Sequence, residues 1–227
     1  MEKLPECAKC SVKPAERACR REGGAGPDSC PTRHMEMVVE KALARYGEPE
    51  IREFARQASI QEAQCYAGRD KKPFVRRPVK TRLEEICEFS HKMGYKKLGL
   101  AYCAGLQSEA SRLQKVLEAD GFQTASVICK VGCTPKEEIG IADAEKVRIG
   151  EPESMCSPIG QAEVLNEAGT EFNVLLGLCV GHDSLFFKYA KAPTTVFAAK
   201  DRVLGHNPLA ALYTLNSYYE RLSRSKG

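Results

Sequence analysis

From Lys96 onward, short apolar runs alternate with stretches of helical periodicity, and that alternation leaves few folds open. Leu98-Gly99-Leu100-Ala101-Tyr102-Cys103, Phe122 to Cys129, Phe172 to Leu178 and Thr194 to Ala199 read as strands, while Ser108 to Ala119 (closed by Gly121), Pro158 to Ala168, His182 to Ala190 and Pro208 to Leu222 read as helices. Strands joined by helices run parallel, because a helical crossover returns the chain to the same end of the sheet, and such crossovers are right-handed. The expected fold is α/β, a small Rossmann-like parallel sheet with flanking helices.

The chain before this pattern has a different texture. Residues 1–33 hold Cys7, Cys10, Cys19 and Cys30 with hardly any large apolar side chains, so they cannot bury enough surface to fold without a staple. Residues 34–80 are read as a helical region and linker: Met37, Val38, Lys41, Ala42 and Tyr46 have helical spacing, Gly47 and Pro49 break it, and Ile51 to Cys65 resume it, predicting two helices. Residues 81–227 form the expected α/β domain, entered through a capping box at Thr81 and Glu84 and a helix ending at Gly94. The segments are thus a Cys-rich metal-binding piece, a helical piece and an α/β domain with cysteines at the carboxyl ends of its strands.

Bulk composition excludes several classes. A chain of 227 residues, 43% hydrophobic, suits one well-buried domain with an appendage. A net charge of +4 is too small a surplus to make nucleic acid the main partner. The basic cluster of Lys71, Lys72, Arg76, Arg77, Lys80 and Arg82 is interrupted by Pro73 and Pro78 and reads as a solvated linker. The polar, Cys-bearing start and the lack of any run near the roughly 18 apolar residues of a membrane span predict a cytoplasmic protein with no membrane partner. In a reducing compartment, 11 cysteines point to metal ligation or redox chemistry rather than disulfides.

Those cysteines form two sets. Cys7 and Cys10 bite from one tight turn and Cys19 and Cys30 can complete a tetrahedron, which suits zinc or a cubane iron–sulfur cluster. A zinc site of Cys7, Cys10, Cys30 and His34 is the alternative, against His34 as a polar residue opening a helix. The second set is Cys103, Cys129, Cys133, Cys156 and Cys179, all at or just beyond strand ends or before a helix. In an open parallel sheet these ends share one edge, where the ligand crevice forms. All-sulfur ligation there favours iron–sulfur, a 4Fe–4S cluster first, with zinc as the alternative. Either Cys129 or Cys133 serves as ligand, the other standing by as a free thiol. Cys65 and Cys87 read as buried inert thiols.

His182 and Asp183, after Cys179, offer a proton donor or ligand and its orienting partner, or simply cap a helix. Lys200, Asp201, Arg202 and His206 bring charge to the same edge. There is no G-x-G-x-x-G after the first strand, no Walker sequence and no G-x-S-x-G elbow, so nucleotide and serine-hydrolase readings lack support, and catalytic residues are not assigned.

The wording Ser126-Val-Ile-Cys129-Lys-Val-Gly132, Met155-Cys156-Ser-Pro-Ile-Gly-Gln-Ala-Glu-Val-Leu-Asn166, Gly177-Leu-Cys-Val-Gly-His-Asp183 and Lys200-Asp-Arg-Val-Leu-Gly-His-Asn-Pro208 resembles a prokaryotic family of unknown function described as predicted metal-binding proteins and found often in anaerobes. The resemblance spans nearly the whole chain, amino-terminal cysteines included. It implies metal binding through Cys7, Cys10, Cys19, Cys30, Cys103, Cys129, Cys156 and Cys179 and no particular reaction. The expected function is an iron–sulfur protein in redox, sensing or cluster-assisted small-molecule work, with a redox partner or small ligand. A zinc-stapled, non-redox binding module and an enzyme using a free thiol such as Cys133 are the other readings.

Overall fold

The computed structural model describes residues 4–224, so the first and last three residues of the expected segments lie outside the described residues. The chain divides into two compact units, residues 1–64 and 65–227, with the boundary inside the stretch expected to be helices and linker.

The first unit is turns followed by helices. Cys7–Lys9 and Pro14–Glu16 are single 3-10 turns, and a bridge between Arg17 and Ala25 closes a short loop. Pro31–His34 (α1) starts on Pro31, whose missing N–H costs nothing at a helix start. Glu36–Arg45 (α2) and Pro49–Gln64 (α3) are the two expected helices, separated at Gly47.

The second unit opens with a feature the prolines hide. Tyr66–Ala67 (β1) and Arg77–Pro78 (β2) pair antiparallel, so the stretch read as linker is a small hairpin. Arg82–Lys92 (α4) follows, with the reciprocal capping box of Thr81 and Glu84 formed: Glu84 N–H donates to Thr81 Oγ1 at 3.3 Å and Thr81 N–H to Glu84 Oε2 at 2.6 Å. Lys97–Tyr102 (β3), Gln107–Ala119 (α5), Gln123–Ile128 (β4), Pro158–Glu167 (α6), Phe172–Leu176 (β5), His182–Tyr189 (α7) and Thr194–Ala198 (β6) then alternate as expected. All four long strands are parallel in the order β4-β3-β5-β6, a four-stranded sheet flanked by helices. The order reverses between β3 and β5, so the crevice belongs at their carboxyl ends.

Burial explains the strand readings. Leu98, Leu100 and Ala101 of β3 and Val174 of β5 are fully buried, as are Leu117 of α5, Ala162 and Leu165 of α6 and Phe186 of α7 on the flanking helices, and Ala101 packs in one cluster with Ala162, Leu165 and Phe186. Such central strands read as continuous apolar runs because both faces are covered. The closing helix is a correction: only Leu209–Tyr213 (α8) is helical, followed by turns and a 3-10 turn at Glu220–Leu222. Thr214 leaves helical geometry and its hydroxyl bonds back to Ala210 O at 2.7 Å, and the Asn-Ser-Tyr-Tyr run after it has little helix propensity to resume. No helix among the described residues is long and apolar enough to cross a membrane.

Candidate functional site: thiols at the sheet edge

Cys103 follows β3 directly, its N–H bonded to Leu176 O of β5, and the 3-10 turn Ala104–Leu106 starts beside it. Cys129 follows β4, its N–H bonded to Tyr102 O. Between them the sulfur of Cys129 is central: it accepts from the Ala104 N–H at 3.3 Å, shares a hydrogen bond with Cys103, and stands 3.8 Å from the Cys156 sulfur. Cys129 is 3% exposed while Cys103 and Cys156 are half-buried.

Cys156 reaches this place from far along the chain. Residues 130–155 leave the sheet edge and return, the two limbs bridged between Pro135 and Ser154, and Met155 N–H bonds Thr134 O at 2.7 Å. Lys136 pairs with Glu153 at 2.9 Å, Lys146 with Glu137 and Asp143, and Lys130 Nζ reaches Ser154 O. Ser157 N–H then bonds Cys129 O at 2.7 Å, which clamps the start of α6 to the end of β4 and sets the two thiols side by side.

Cationic side chains and amide N–H groups act on these sulfurs. Cys103 is held well below the usual thiol range by the hydrogen bond from Cys129, opposed by burial, with help from the Gly105 N–H and Lys200. Cys156 is lowered by Cys129, again against burial, and by the charges of Lys130 and His182. Cys129 is raised by its hydrogen bonding with the Cys103 and Cys156 thiols and by desolvation. The three thiols titrate together as one system. Lys200 arrives from the end of β6, and Gly177 (φ 67°), with no side chain, keeps the space beside Leu106 and Lys200 free.

Cys179 ends the segment after β5. Its carbonyl accepts the N–H groups of His182 and Asp183 at the start of α7, and its sulfur takes a 3.1 Å bond from the Arg202 guanidinium. Gly181 is the N-cap of α7, with no side-chain cap bond, and Asp183 accepts the adjacent Ser184 N–H at 2.8 Å. His206, in a left-handed conformation at φ 65°, accepts the Asp201 N–H on Nδ1 and closes the loop that carries Arg202. Cys133 is exposed on a turn at φ 48°, four residues beyond Cys129. Cys65 and Cys87 are buried, and burial together with Asp120 pushes Cys87 up to about 11. In folded protein, iodoacetamide is therefore expected to label Cys133 while Cys65 and Cys87 stay unmodified until denaturant is added; mass mapping of modified peptides checks this.

In the first unit Cys7, Cys10, Cys19 and Cys30 all line one cavity of about 90 Å³, together with Arg17 and Pro27. Arg17 ties the loop by donating to Val12 O and Cys10 O. His34 does not line that cavity. As they stand, no three His, Cys, Asp or Glu side chains among the described residues close on one point as a single metal ion requires. The thiols meet in pairs at the sheet edge and around a void at the amino terminus.

The two residues that matter here without a sequence signal are Lys200, which reached attention only as part of a charged loop, and Gln161, whose buried amide bonds Tyr102 O and Val127 O just ahead of Cys103 and Cys129. A polar residue on the apolar face of a predicted helix is the only hint of the latter.

A family model described as "Protein of unknown function (DUF1847)" matches residues 30–197. The chain belongs to the DUF1847 family. The DUF1847 match takes in Cys103, Cys129, Cys133, Cys156 and Cys179, begins at Cys30, and leaves out Cys7, Cys10, Cys19, Lys200 and Arg202. An uncharacterized protein of Methanocaldococcus jannaschii is 46% identical over 189 residues, 83% of this chain and 90% of that relative. Neither description mentions a metal, cysteine richness or anaerobic life, so of the resemblance only the family of unknown function is shown.

Proposed function

We propose that this DUF1847 protein binds an iron–sulfur cluster at its sheet edge through Cys103, Cys129 and Cys156, with Cys179 as the fourth candidate thiolate. The observation that carries the reading is the Cys129 sulfur, nearly inaccessible and in contact with both neighbouring thiols. The surroundings fit an anionic group: Lys200, Lys130, His182 and the Ala104 and Gly105 amides all face the sulfurs. A bound cluster would supply electron transfer or a Lewis-acidic iron; the chain's residues would set its charge and screen it from water. Redox work, sensing or chemistry on a small molecule, with a redox partner or small ligand in the cytoplasm, is the role this implies.

Zinc is the second reading for the amino-terminal site, favoured there by four thiols around a single small void. Four thiolates at about 2.3 Å around one ion make a compact tetrahedron that a short, core-poor segment can close.

Iron, zinc and acid-labile sulfide measured on anaerobically purified protein, with an absorption spectrum, test both. Brown protein with near-equal iron and sulfide is expected, with both lost in Cys129→Ala and zinc lost only in Cys10→Ala. Colourless protein free of iron, or Cys129→Ala retaining its full iron, would sink the sheet-edge reading.

A further inference from the structure

The hairpin of β1 and β2 carries a surface unrelated to the thiols. Residues 69–77 contain Arg69, Lys71, Lys72, Arg76 and Arg77 against a single carboxylate, Asp70. That leaves this short loop at +4, equal to the net charge of the whole chain, so the remaining residues balance one another. At the tip, Phe74 and Val75 are each 70% exposed. The base is anchored: β1 pairs with β2, Val79 N–H bonds Cys65 O at 2.9 Å, and Cys65 is buried. Lys80, at the foot, is paired with Glu88, whereas no ion pair forms at Arg69, Lys71, Lys72, Arg76 or Arg77 among the described residues. Two large apolar side chains are thus held outward at a turn flanked in sequence on both sides by cations.

We propose that this hairpin tip docks the protein peripherally on an anionic lipid surface, Phe74 and Val75 entering the boundary between headgroups and acyl chains while the surrounding Lys and Arg side chains meet lipid phosphates and carboxylates. Neither signal suffices alone, since two apolar side chains bind a bilayer weakly and a small cationic loop is released by salt; together they form the pair of signals that peripheral attachment needs. A nucleic-acid strand is the poorer match. It would want cations along a groove and successive stacking faces, and Val75 offers none. The surface stands whether or not the thiols bind metal.

Co-sedimentation of the full chain with phosphatidylcholine vesicles, with and without phosphatidylserine, is the test. Binding roughly tenfold or more tighter to the phosphatidylserine vesicles is expected, weakening as salt rises. Phe74→Ser with Val75→Ser should cut it on the order of tenfold or more, and Lys71→Gln with Lys72→Gln should remove most of the lipid preference. All four side chains are exposed, so unchanged circular dichroism will show that the fold is intact. Equal binding to both vesicle types, binding untouched by the Phe74/Val75 substitutions, or tighter binding to a single-stranded oligonucleotide than to vesicles would each overturn the proposal.

Discussion

Replacing Gln161 by glutamate is expected to cost the α/β unit about 3–5 kcal/mol at neutral pH, the range for an uncompensated buried charge. Gln161 is fully buried, and its amide nitrogen uses both hydrogens, on Tyr102 O at 3.1 Å and Val127 O at 2.7 Å. Its oxygen has no partner. A carboxylate has the same shape but turns oxygen toward two carbonyl oxygens, with no donor to offer. Only the protonated acid can restore one of the two bonds. The folded-state pKa of the introduced group therefore lies above its unfolded value of about 4.3. The sign follows: below about pH 4 both states hold the proton and the penalty falls to that of the one bond the acid cannot restore, and as pH rises through the folded pKa the penalty reaches its full size. Urea denaturation at pH 4 and pH 7 should show the gap from wild type widening with pH, while Gln161→Ala loses stability equally at both. A gap that does not change with pH would mean the amide is not buried against those carbonyls. Because these strand ends lead straight into Cys103 and Cys129, the same variant should loosen the thiol site.

Gly99→Val should lose about 3 kcal/mol or more, at the upper end of overpacking. A Cβ at Gly99 would stand 2.1 Å from Asn173 Oδ1 and 2.9 Å from Leu165 Cδ1. Both residues are fully buried, and Asn173 Oδ1 is held by the Thr170 hydroxyl at 2.8 Å, so neither can swing away freely. The measurement is the urea midpoint, expected to fall by about 1–2 M with little change in slope. Adding Asn173→Ala should recover part of the loss, because the clashing atom is gone and the two substitutions are no longer independent. Full additivity would show that β3 and β5 do not approach as closely as described.

Much of the fold is legible in order. Leu98 to Tyr102 and Phe172 to Leu176 are strands because both faces are buried, and such burial leaves an unbroken apolar run. Thr81 and Glu84 mark a helix start because the box that caps it is made of residues three apart. The same local logic fails at Pro208 to Leu222, where an apolar, helix-like spacing carries no term for the hydroxyl of Thr214 or the turns that follow. It fails again at 66–78, where Pro73 and Pro78 announce a break but not the pairing of Tyr66 with Pro78.

What the sequence alone determined is that cysteines terminate strands, since strand ends are read from periodicity and a parallel sheet puts those ends along one edge. Which sulfurs meet was decided only by tertiary structure. Cys129 and Cys133 are equivalent by spacing, yet Cys129 lies buried against Cys103 and Cys156 because the 130–155 excursion returns on the Ser157-to-Cys129 bond, and Cys133 is left on the exposed turn. Lys200 finds Cys103 only because β6 lies beyond β5 in the sheet, and Gln161 faces inward only because α6 packs across β3 and β4. Periodicity records the interactions of near neighbours; strand order, loop closure and desolvation join residues far apart, and those long-range terms set the chemistry of the edge.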